Sequence, residues 1–174
     1  MHCCVEKKNS EMARLLYHGS TVNVVNPLVE VGRADLDFGQ GFYLTSMRSQ
    51  AETWAQIQKE RKKKEYAVLN VYEYDEEAAS AYYQTLRFES YSVDWLNFIV
   101  ACRSGNHLWE NYDVVEGGIA NDSVIDTVDA YMSGLIDANT ALGQLAFHEP
   151  NVQISINKQK IIDQCLRYIE SVNM

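Results

Sequence analysis

The chain has 174 residues, of which 47% are hydrophobic and 22% are charged, and its formal net charge is −9. This length fits one domain, and we predict a single domain over residues 1–174 with about ten loose residues at the N-terminus. The negative field excludes broad attraction to nucleic acid or to anionic membranes. The basic segment Lys59–Lys64 (KERKKK) is an exception, and a run of this kind at a helix end is usually a solvated face.

The N-terminal sequence MHCCVEKKNS has no apolar core of a signal peptide, and no segment approaches the roughly 20 apolar residues of a membrane helix. We therefore expect a cytoplasmic protein without a membrane partner. Cys3 and Cys4 are adjacent, whereas Cys102 and Cys165 lie singly in apolar patterns. These spacings indicate neither a zinc site nor a disulfide framework, so we expect no metal and a core role for Cys102 and Cys165.

The first half of the chain predicts a strand at Arg14–His18, an irregular stretch, and then a segment at Phe38–Thr45 that combines two glycines with aromatic residues. A helix from Met47 to about Lys63 and a strand at Tyr66–Tyr74 follow. His18 falls at the edge of the first strand, before the turn Gly19-Ser20. Ser46 can cap the helix. The apolar stripe of that helix comprises Met47, Ala51, Trp54 and Ala55.

The second half predicts a largely buried helix at Ser92–Arg103, a glycine-broken strand from Tyr112 to Ala120, helices at Asp122–Ile136 and Thr140–Phe147, a strand at Val152–Ile156 and a last helix at Lys158–Val172. Asn157 can cap that last helix. Strands and helices alternate too rarely as βαβ units for a doubly wound parallel sheet, so the pattern favours an α+β fold.

Several familiar signatures are absent from the sequence, which contains no G-x-x-x-x-G-K-[ST], no H-E-x-x-H and no G-x-S-x-G. Gly39 and Gly41 form G-x-G, but Leu44 stands where a Rossmann fingerprint has its third glycine. These absences exclude P-loop, zincin, α/β-hydrolase and Rossmann interpretations.

Two segments carry residue types suited to a nucleotide: Tyr17–Ser20 (YHGS) and Asp37–Thr45 (DFGQGFYLT). A neutral imidazole at His18 could hydrogen bond a hydroxyl, and the backbone at Gly19 could approach a flat amide closely. Phe38, Phe42 and Tyr43 could stack on a ring, with the phenolic group of Tyr43 free at the edge. The alternatives are a structural histidine at position 18, and turn chemistry with core packing for the second segment.

Taken together, YHGS, DFGQGFYLT and the following QAETWA resemble the ADP-ribosyltransferase superfamily. The closest resemblance is to a family of bacterial domains of unknown function, and it extends from about Leu15 to Ile162 through YDVVEGGIANDSV and VQISI. The resemblance implies a split mixed β-sheet with flanking helices around a cleft in which NAD lies bent.

The resemblance also implies the roles of individual residues. His18 would hydrogen bond the adenosine ribose, the Gly19 backbone would hold the nicotinamide amide with Ser20 beside it, and Tyr43 would stack on nicotinamide. Phe38, Gly39, Gly41 and Phe42 would shape the loop over the cofactor. Thr45, Ala51 and Trp54 would position the helix behind it.

The third position of the superfamily is commonly a glutamate that stabilises positive charge on the anomeric carbon as nicotinamide departs. On the strand that resembles it, this sequence has Gln153, which can hydrogen bond but carries no charge. Gln153, Tyr43 and His18 are therefore the expected catalytic residues. Glu149 could serve instead, although the strand register favours Gln153, and Asp122 is either a further cleft residue or a helix N-cap.

The leading hypothesis is an NAD-dependent mono-ADP-ribosyltransferase acting on a macromolecular acceptor. The resemblance further implies a bacterial toxin or phage-defence element with an antitoxin or a neighbouring-gene partner. A non-catalytic NAD- or ADP-ribose-binding or protein-interaction module is the alternative, supported by Gln153. Transfer of an RNA 2′-phosphate to NAD would need a cluster of arginines and histidines, and the motifs have few nearby.

Overall fold

The computed structural model describes residues 13–119, 122–148 and 151–174. The described strands are β1 Arg14–Ser20, β2 Phe42–Leu44, β3 Val68–Tyr74, β4 Thr85–Arg87, β5 Val114–Gly118, β6 Val152–Ile156 and β7 Leu166–Asn173. The described helices are α1 Arg48–Lys62, α2 Glu76–Tyr82, α3 Val93–Arg103, α4 Asp122–Met132, α5 Ala138–Leu145 and α6 Gln159–Cys165. Short 3₁₀ turns lie at Val29–Val31 and Leu108–Asn111.

The strands form two sheets. The first sheet is antiparallel with strand order β1-β3-β7, and the second is mixed with order β2-β6-β5-β4. Of the described strand pairs, β4 with β5 is the parallel one. The predicted α+β class is therefore confirmed, and the described strands do not form a doubly wound parallel sheet.

Among the described residues, the two sheets are joined by one backbone-paired couple: Tyr17 of β1 and Thr45, which directly follows β2. The Tyr17 N–H donates to the Thr45 carbonyl at 2.8 Å, and the Thr45 N–H donates to the Tyr17 carbonyl at 2.9 Å. Beyond this pair β1 and β2 separate, which gives the sheet its split.

Three apolar clusters surround the sheets. The first packs one face of the second sheet against β1, β3 and α6, and includes Leu16, Phe42 and Ile154. The second packs the opposite face against α3, α4 and α5. In α3 the predicted burial is confirmed for Trp95, Leu96, Phe98, Ile99 and Cys102. Cys102 and Cys165 both lie in apolar clusters as free thiols, as expected.

The predicted last helix is wrong over half of its length. Helix α6 ends at Cys165, and the chain continues directly into β7, which pairs with β3. The apolar residues from Ile161 to Val172 fit a helical stripe, but their second half is also rich in residues that favour strands. Pairing with β3 makes this segment a strand, because the edge of β3 that faces β7 would otherwise have no hydrogen-bond partners.

The predicted helix caps at Ser46 and Asn157 are also wrong. Met47 is the N-cap of α1 and Lys158 that of α6, and neither makes a side-chain capping bond. Near α1, the Thr45 hydroxyl accepts from the Met47 N–H at 3.0 Å. Asn157 instead accepts from the Ser155 hydroxyl and donates to the Tyr112 carbonyl.

Helix α1 packs on the first sheet through small side chains. Ala51 is 3% exposed and Ala55 is fully buried, whereas Met47 and Trp54 are 40% and 46% exposed. The buried stripe is therefore narrower than predicted. Strand β5, by contrast, is more regular than predicted, because it runs unbroken through Gly117 and Gly118. Within the described parts of the chain, no helix is both long and apolar enough to cross a membrane.

Gly19 permits the close approach of α1 to β1, and this contact can be tested. A Cβ added at Gly19 would lie 2.1 Å from the Ala51 carbonyl oxygen and 2.8 Å from the Ala55 nitrogen. Because both atoms belong to helix backbone, we expect Gly19→Ala to lower the free energy of unfolding by about 1–3 kcal/mol or more. Urea denaturation would measure this loss.

Gly143→Ala is the matched control. Gly143 lies in α5, and nothing stands within 4 Å of its added Cβ, so the same substitution should stabilise the protein by about 0.5–1 kcal/mol. Equal effects of the two substitutions would show that α1 does not pack against Gly19 in this way.

Candidate ligand-binding site

The candidate site is the gap where β1 and β2 separate, which we call the wedge and define by His18, Gly19 and Tyr43. Continuing the antiparallel register from Tyr17 and Thr45 would pair Gly19 with Tyr43. Within the described residues these two do not pair, and the His18 side chain reaches the Tyr43 carbonyl. Strand β2 pairs with β6 through its opposite edge.

The wedge leaves backbone groups unpaired on both sides, although Gly19 itself is buried. Successive residues of a strand direct their N–H and C=O groups to alternate edges. Since Tyr17 and Thr45 direct theirs at each other, the groups of Gly19 and Tyr43 face the wedge. The Tyr43 carbonyl accepts from His18. The Gly19 N–H, the Gly19 carbonyl and the Tyr43 N–H have no hydrogen-bond partner among the described residues.

His18 lies inside β1, opposite Asn70 of β3, and its imidazole closes the narrow end of the wedge. The ring packs against Phe42 with centroids 4.7 Å apart, and Nδ1 lies 2.8 Å from the Tyr43 carbonyl oxygen. Burial lowers the pKa of His18, and the charge of Lys62 lowers it further, against the opposing effect of the bond to Tyr43.

The protonation of His18 follows from this bond. A carbonyl oxygen can only accept, so Nδ1 carries the proton and Nε2 of the neutral ring is an acceptor. Nε2 has no hydrogen-bond partner within the described parts of the chain. His18 therefore combines a structural bond through one nitrogen with an available lone pair on the other.

Tyr43 is held by its own loop rather than free at its phenolic end. The hydroxyl donates to the Gly39 carbonyl at 2.6 Å and accepts from the Phe38 N–H at 3.1 Å. Burial raises the pKa of this phenol far above its ordinary value. The expectation of a free hydroxyl is therefore wrong, while the ring remains partly exposed.

The DFGQG segment is fixed mainly by contacts within the protein. Phe38 is fully buried against Phe98, and Asp37 forms a 2.7 Å ion pair with Arg103 of α3. Gly39 adopts a φ of +75°, and a Cβ there would overlap the Trp109 ring. Core packing is thus the correct interpretation for this segment.

The same interpretation holds for the neighbouring residues. Phe42 is 7% exposed and contacts Tyr72 edge-on, so neither Phe38 nor Phe42 offers a face to a ligand, contrary to the stacking expectation. A Cβ at Gly41 would lie 2.1 Å from the Ser155 hydroxyl. The loop shapes the wedge by holding Tyr43 in place.

Gln153 lies on β6, opposite Gly117 of β5, and two residues from Ser155, which pairs with Tyr43. Because alternate residues of a strand share a face, Gln153 and Ser155 point to the Tyr43 side of the sheet. The Gln153 side chain is partly buried and makes no hydrogen bond within the described residues.

Glu149 lies outside the described residues, as do Cys3 and Cys4. The structure describes the Asp122 backbone at the start of α4 but not its side chain.

Gln50 of α1 lies beside Gln153 and was not predicted as a candidate site residue. Its Nε2 donates to the Val152 carbonyl at 3.4 Å, next to Gln153, and its Oε1 is buried without a hydrogen-bond partner among the described residues. A glutamine in the first turns of an amphipathic helix has no distinguishing signal in one sequence, so only the packing reveals it.

Trp54 and Ala51 lie on α1, where the helix crosses Gly19. Ala51 makes the close contact through its backbone carbonyl. Thr45 ties β2 to β1 and is 4% exposed. Trp54 does not help to pack α1 against the first sheet. Its indole is 46% exposed, and the Arg61 guanidinium carbon lies 5.7 Å from the ring centroid. Ser20 ends β1 on the same face as His18.

Asn70, also missed, fixes the chain that leaves β1. It is fully buried, and its Oδ1 accepts from the Val24 N–H at 2.8 Å and from the Ser171 hydroxyl at 2.7 Å. Its Nδ2 donates to the Val22 carbonyl at 3.2 Å. A polar residue at the centre of the strand segment YAVLNVYEY is the sequence signal that could have identified it.

One cavity lies away from the wedge. Its volume is about 530 Å³, and its lining includes Phe88, Ser90, Asn97, Phe98, Leu108 and Tyr112, none of which is a predicted site residue. Within the described residues, no group of three or more His, Cys, Asp or Glu side chains could hold a metal ion.

Residues 14–168 match the model of a family described as a protein of unknown function, DUF3990, and the chain belongs to that family. No curated protein and no solved structure matches the chain. The matched residues run from β1 to the first three residues of β7 and thus include every residue of the wedge.

The protonation of His18 gives a testable pH dependence. Its folded-state pKa lies below the ordinary 6.5, so the unfolded chain binds more protons at that position as pH falls below about 6.5, and stability decreases there. We expect NMR to show a folded-state pKa of His18 below 6.5 and, at neutral pH, a proton on Nδ1 with a bare Nε2. In urea-unfolded protein the same residue should titrate near its ordinary value. A proton on Nε2 at neutral pH would contradict the assigned bond to Tyr43.

Proposed function

We propose that the protein binds NAD in the wedge and transfers its ADP-ribose to a macromolecular acceptor. The observation that supports this most directly is the pair of Gly19 backbone groups facing an unpaired strand edge beside a neutral histidine. On this basis the fold is the ADP-ribosyltransferase-like split sheet, and the wedge is its NAD cleft.

A primary carboxamide matches the Gly19 backbone. The Gly19 N–H can donate to the amide oxygen of nicotinamide, and the Gly19 carbonyl can accept from the amide nitrogen. Gly19 lacks a side chain because α1 backbone occupies that space, and the residue is buried. A ligand would therefore have to reach its backbone groups along the unpaired edge of β1. The same paired bonds would not form with a ligand that lacks an adjacent donor and acceptor.

His18 supplies the complementary polar group for a ribose. Its unpartnered Nε2 is an acceptor, which suits a hydroxyl and does not suit a phosphate oxygen. The flat surfaces available near the wedge belong to the partly exposed Tyr43 ring and the exposed Trp54 indole. We propose that these two rings, and not Phe38 or Phe42, contact the nicotinamide end.

The proposed reaction breaks the bond between the nicotinamide nitrogen and the anomeric carbon. The electron pair of that bond leaves with neutral nicotinamide, a nucleophile of the acceptor attacks the anomeric carbon, and its proton passes to solvent. The protein contributes mainly by orienting the reactants. Gln153 could hydrogen bond the ribose, but its neutral amide would stabilise an oxocarbenium-like centre less than a carboxylate would.

A binding module without transfer is the second candidate, and Gln153 is the observation that favours it. The wedge contacts proposed for Gly19 and His18 require no charge at position 153, so binding and turnover separate in this site. A toxin or phage-defence role with an antitoxin, like cytoplasmic location, stays a prediction from the sequence.

NAD binding is tested by calorimetric titration of the full chain with NAD. We expect saturable binding, a loss of affinity on the order of tenfold for His18→Ala, and a similar loss for Tyr43→Ala. Lys158→Ala, at the N-cap of α6, is a control that should leave affinity unchanged. No binding of NAD at millimolar concentration, with the wild-type chain folded, would overturn the proposal.

Turnover is tested by released nicotinamide in wild type and in Gln153→Glu. If the missing negative charge at position 153 limits the reaction, the Gln153→Glu carboxylate should raise the rate of nicotinamide release on the order of tenfold or more. NAD affinity should change little. Gln56→Glu adds the same charge on an exposed position of α1 and should have no effect. Binding without release in both wild type and Gln153→Glu would support the module and contradict the transferase.

A further inference from the structure

The cationic end of α1 is the most distinctive charged surface of the described chain. Residues 59–64 contain five of the chain's fifteen lysine and arginine residues and one acidic residue, in a protein of net charge −9. Four of the five cations are exposed, and Lys59 is partly exposed. We call this segment the basic end of α1.

The lysines and the arginine of the basic end have no acidic partners among the described residues, unlike the arginines elsewhere in the protein. The arginines at positions 14, 33, 48, 87, 103 and 167 each form an ion pair with a carboxylate. Within the described residues Arg61 forms none and lies over Trp54, and the four lysines of the basic end form none. Their positive charge is therefore available to a partner.

Helix stability accounts for only part of this charge. Lys59, Arg61 and Lys62 lie in the last turn of α1, where cations favour the negative end of the helix dipole. Lys63 follows at the C-cap with a φ of 50°, a conformation that glycine would adopt at lower cost. Lys64 lies beyond the helix.

The topology brings the basic end close to the wedge. The chain enters β3 at Val68, which pairs with Ser20 at the end of β1, only four residues after Lys64. Two turns earlier, α1 contacts Gly19 through Ala51 and Ala55. The charge of Lys62 also acts on His18, since it lowers the pKa of that imidazole.

We propose that the basic end of α1, together with the exposed Trp54, binds single-stranded nucleic acid. Clustered cations beside an accessible aromatic ring are the combination that single-strand-binding surfaces use, the cations for phosphates and the ring for a base. An acidic peptide would be served by the cations alone and gives no role to the ring. The overall negative charge does not prevent this binding, because charges more than about 8–10 Å away are largely screened at physiological salt.

Strand binding at the basic end of α1 is separate from NAD binding. Nucleic acid as the acceptor class for ADP-ribose transfer rests on the proposed function. A strand on this surface would lie at the end of the wedge that carries Ser20. Its binding does not depend on His18, so the two proposals can fail independently.

The test measures fluorescence anisotropy of labelled oligonucleotides of about 12 nucleotides, one of uridine and one of thymidine, with the full chain. We expect binding that weakens with salt. Lys62→Gln/Lys64→Gln should lower affinity on the order of tenfold and reduce the magnitude of the salt slope by about 1.4, from about 0.7 for each lost phosphate contact. Stronger binding of one oligonucleotide would identify RNA or DNA as the preferred strand.

Two further variants separate a local surface from a change in net charge or in folding. Lys158→Gln/Lys160→Gln removes the same charge at α6 and should leave affinity nearly unchanged. Lys63→Gly removes a third cation where glycine suits the backbone, so affinity should fall while the thermal unfolding temperature stays equal or rises.

The proposal is overturned if neither oligonucleotide binds at low salt, or if both lysine pairs weaken binding equally. It is also overturned if polyglutamate displaces the oligonucleotide as effectively as unlabelled nucleic acid, because the surface would then select charge alone. His18→Ala, which should lose NAD affinity, should retain oligonucleotide binding.

Discussion

The separation of β1 from β2 after one residue pair is the constraint on which the rest of the structure depends. Two backbone hydrogen bonds between Tyr17 and Thr45 hold the two sheets together. At the next position the His18 imidazole bonds the Tyr43 carbonyl and replaces a strand-to-strand bond. If β1 and β2 continued to pair, the Gly19 groups would be consumed by the ladder and the wedge would not exist.

A second connection keeps the split sheets from closing or drifting apart. Arg14, at the start of β1, bonds Glu116 of β5 at 2.8 Å, and Arg87 of β4 bonds the other oxygen of the same carboxylate at 2.9 Å. Glu76 of α2 contacts both arginines. Because Glu116 is 8% exposed, its charge would be costly without these partners. This network engages both oxygens of the Glu116 carboxylate and joins β1, β4, β5 and α2.

Much of the fold could be predicted from the sequence, and the failures have physical reasons. Strand Val152–Ile156 and helix α3 agree with the predictions, since each has a clear periodicity. The seven-residue α2 and three-residue β4 were not predicted, because such short elements carry almost no periodicity and depend on neighbours. Strand β7 was predicted as helix because its apolar spacing fits both structures, and only the free edge of β3 selects one.

The site residues show why motif and ligand are hard to separate in one sequence. Phe38, Gly39 and Gly41 belong to the distinctive motif, yet each is explained by contacts with Phe98, Trp109 or Ser155. Gly19 is also explained by packing against α1, but its backbone groups lie in the plane of the sheet and face the wedge. A sequence can indicate that a glycine is needed at a position. It cannot indicate whether helix packing or the approach of a ligand requires that glycine.

Gly19 both packs against α1 and faces the wedge, so stability and the proposed binding depend on the same residue. At Gly19 the absence of a side chain admits α1, and α1 in turn brings Trp54 and the basic end of the helix to the edge of the wedge. At His18 one nitrogen holds the strands apart while the other stays available. The polar groups that a ligand would use are therefore produced by the same contacts that split the sheet, so the protein needs no flexible loop to present them.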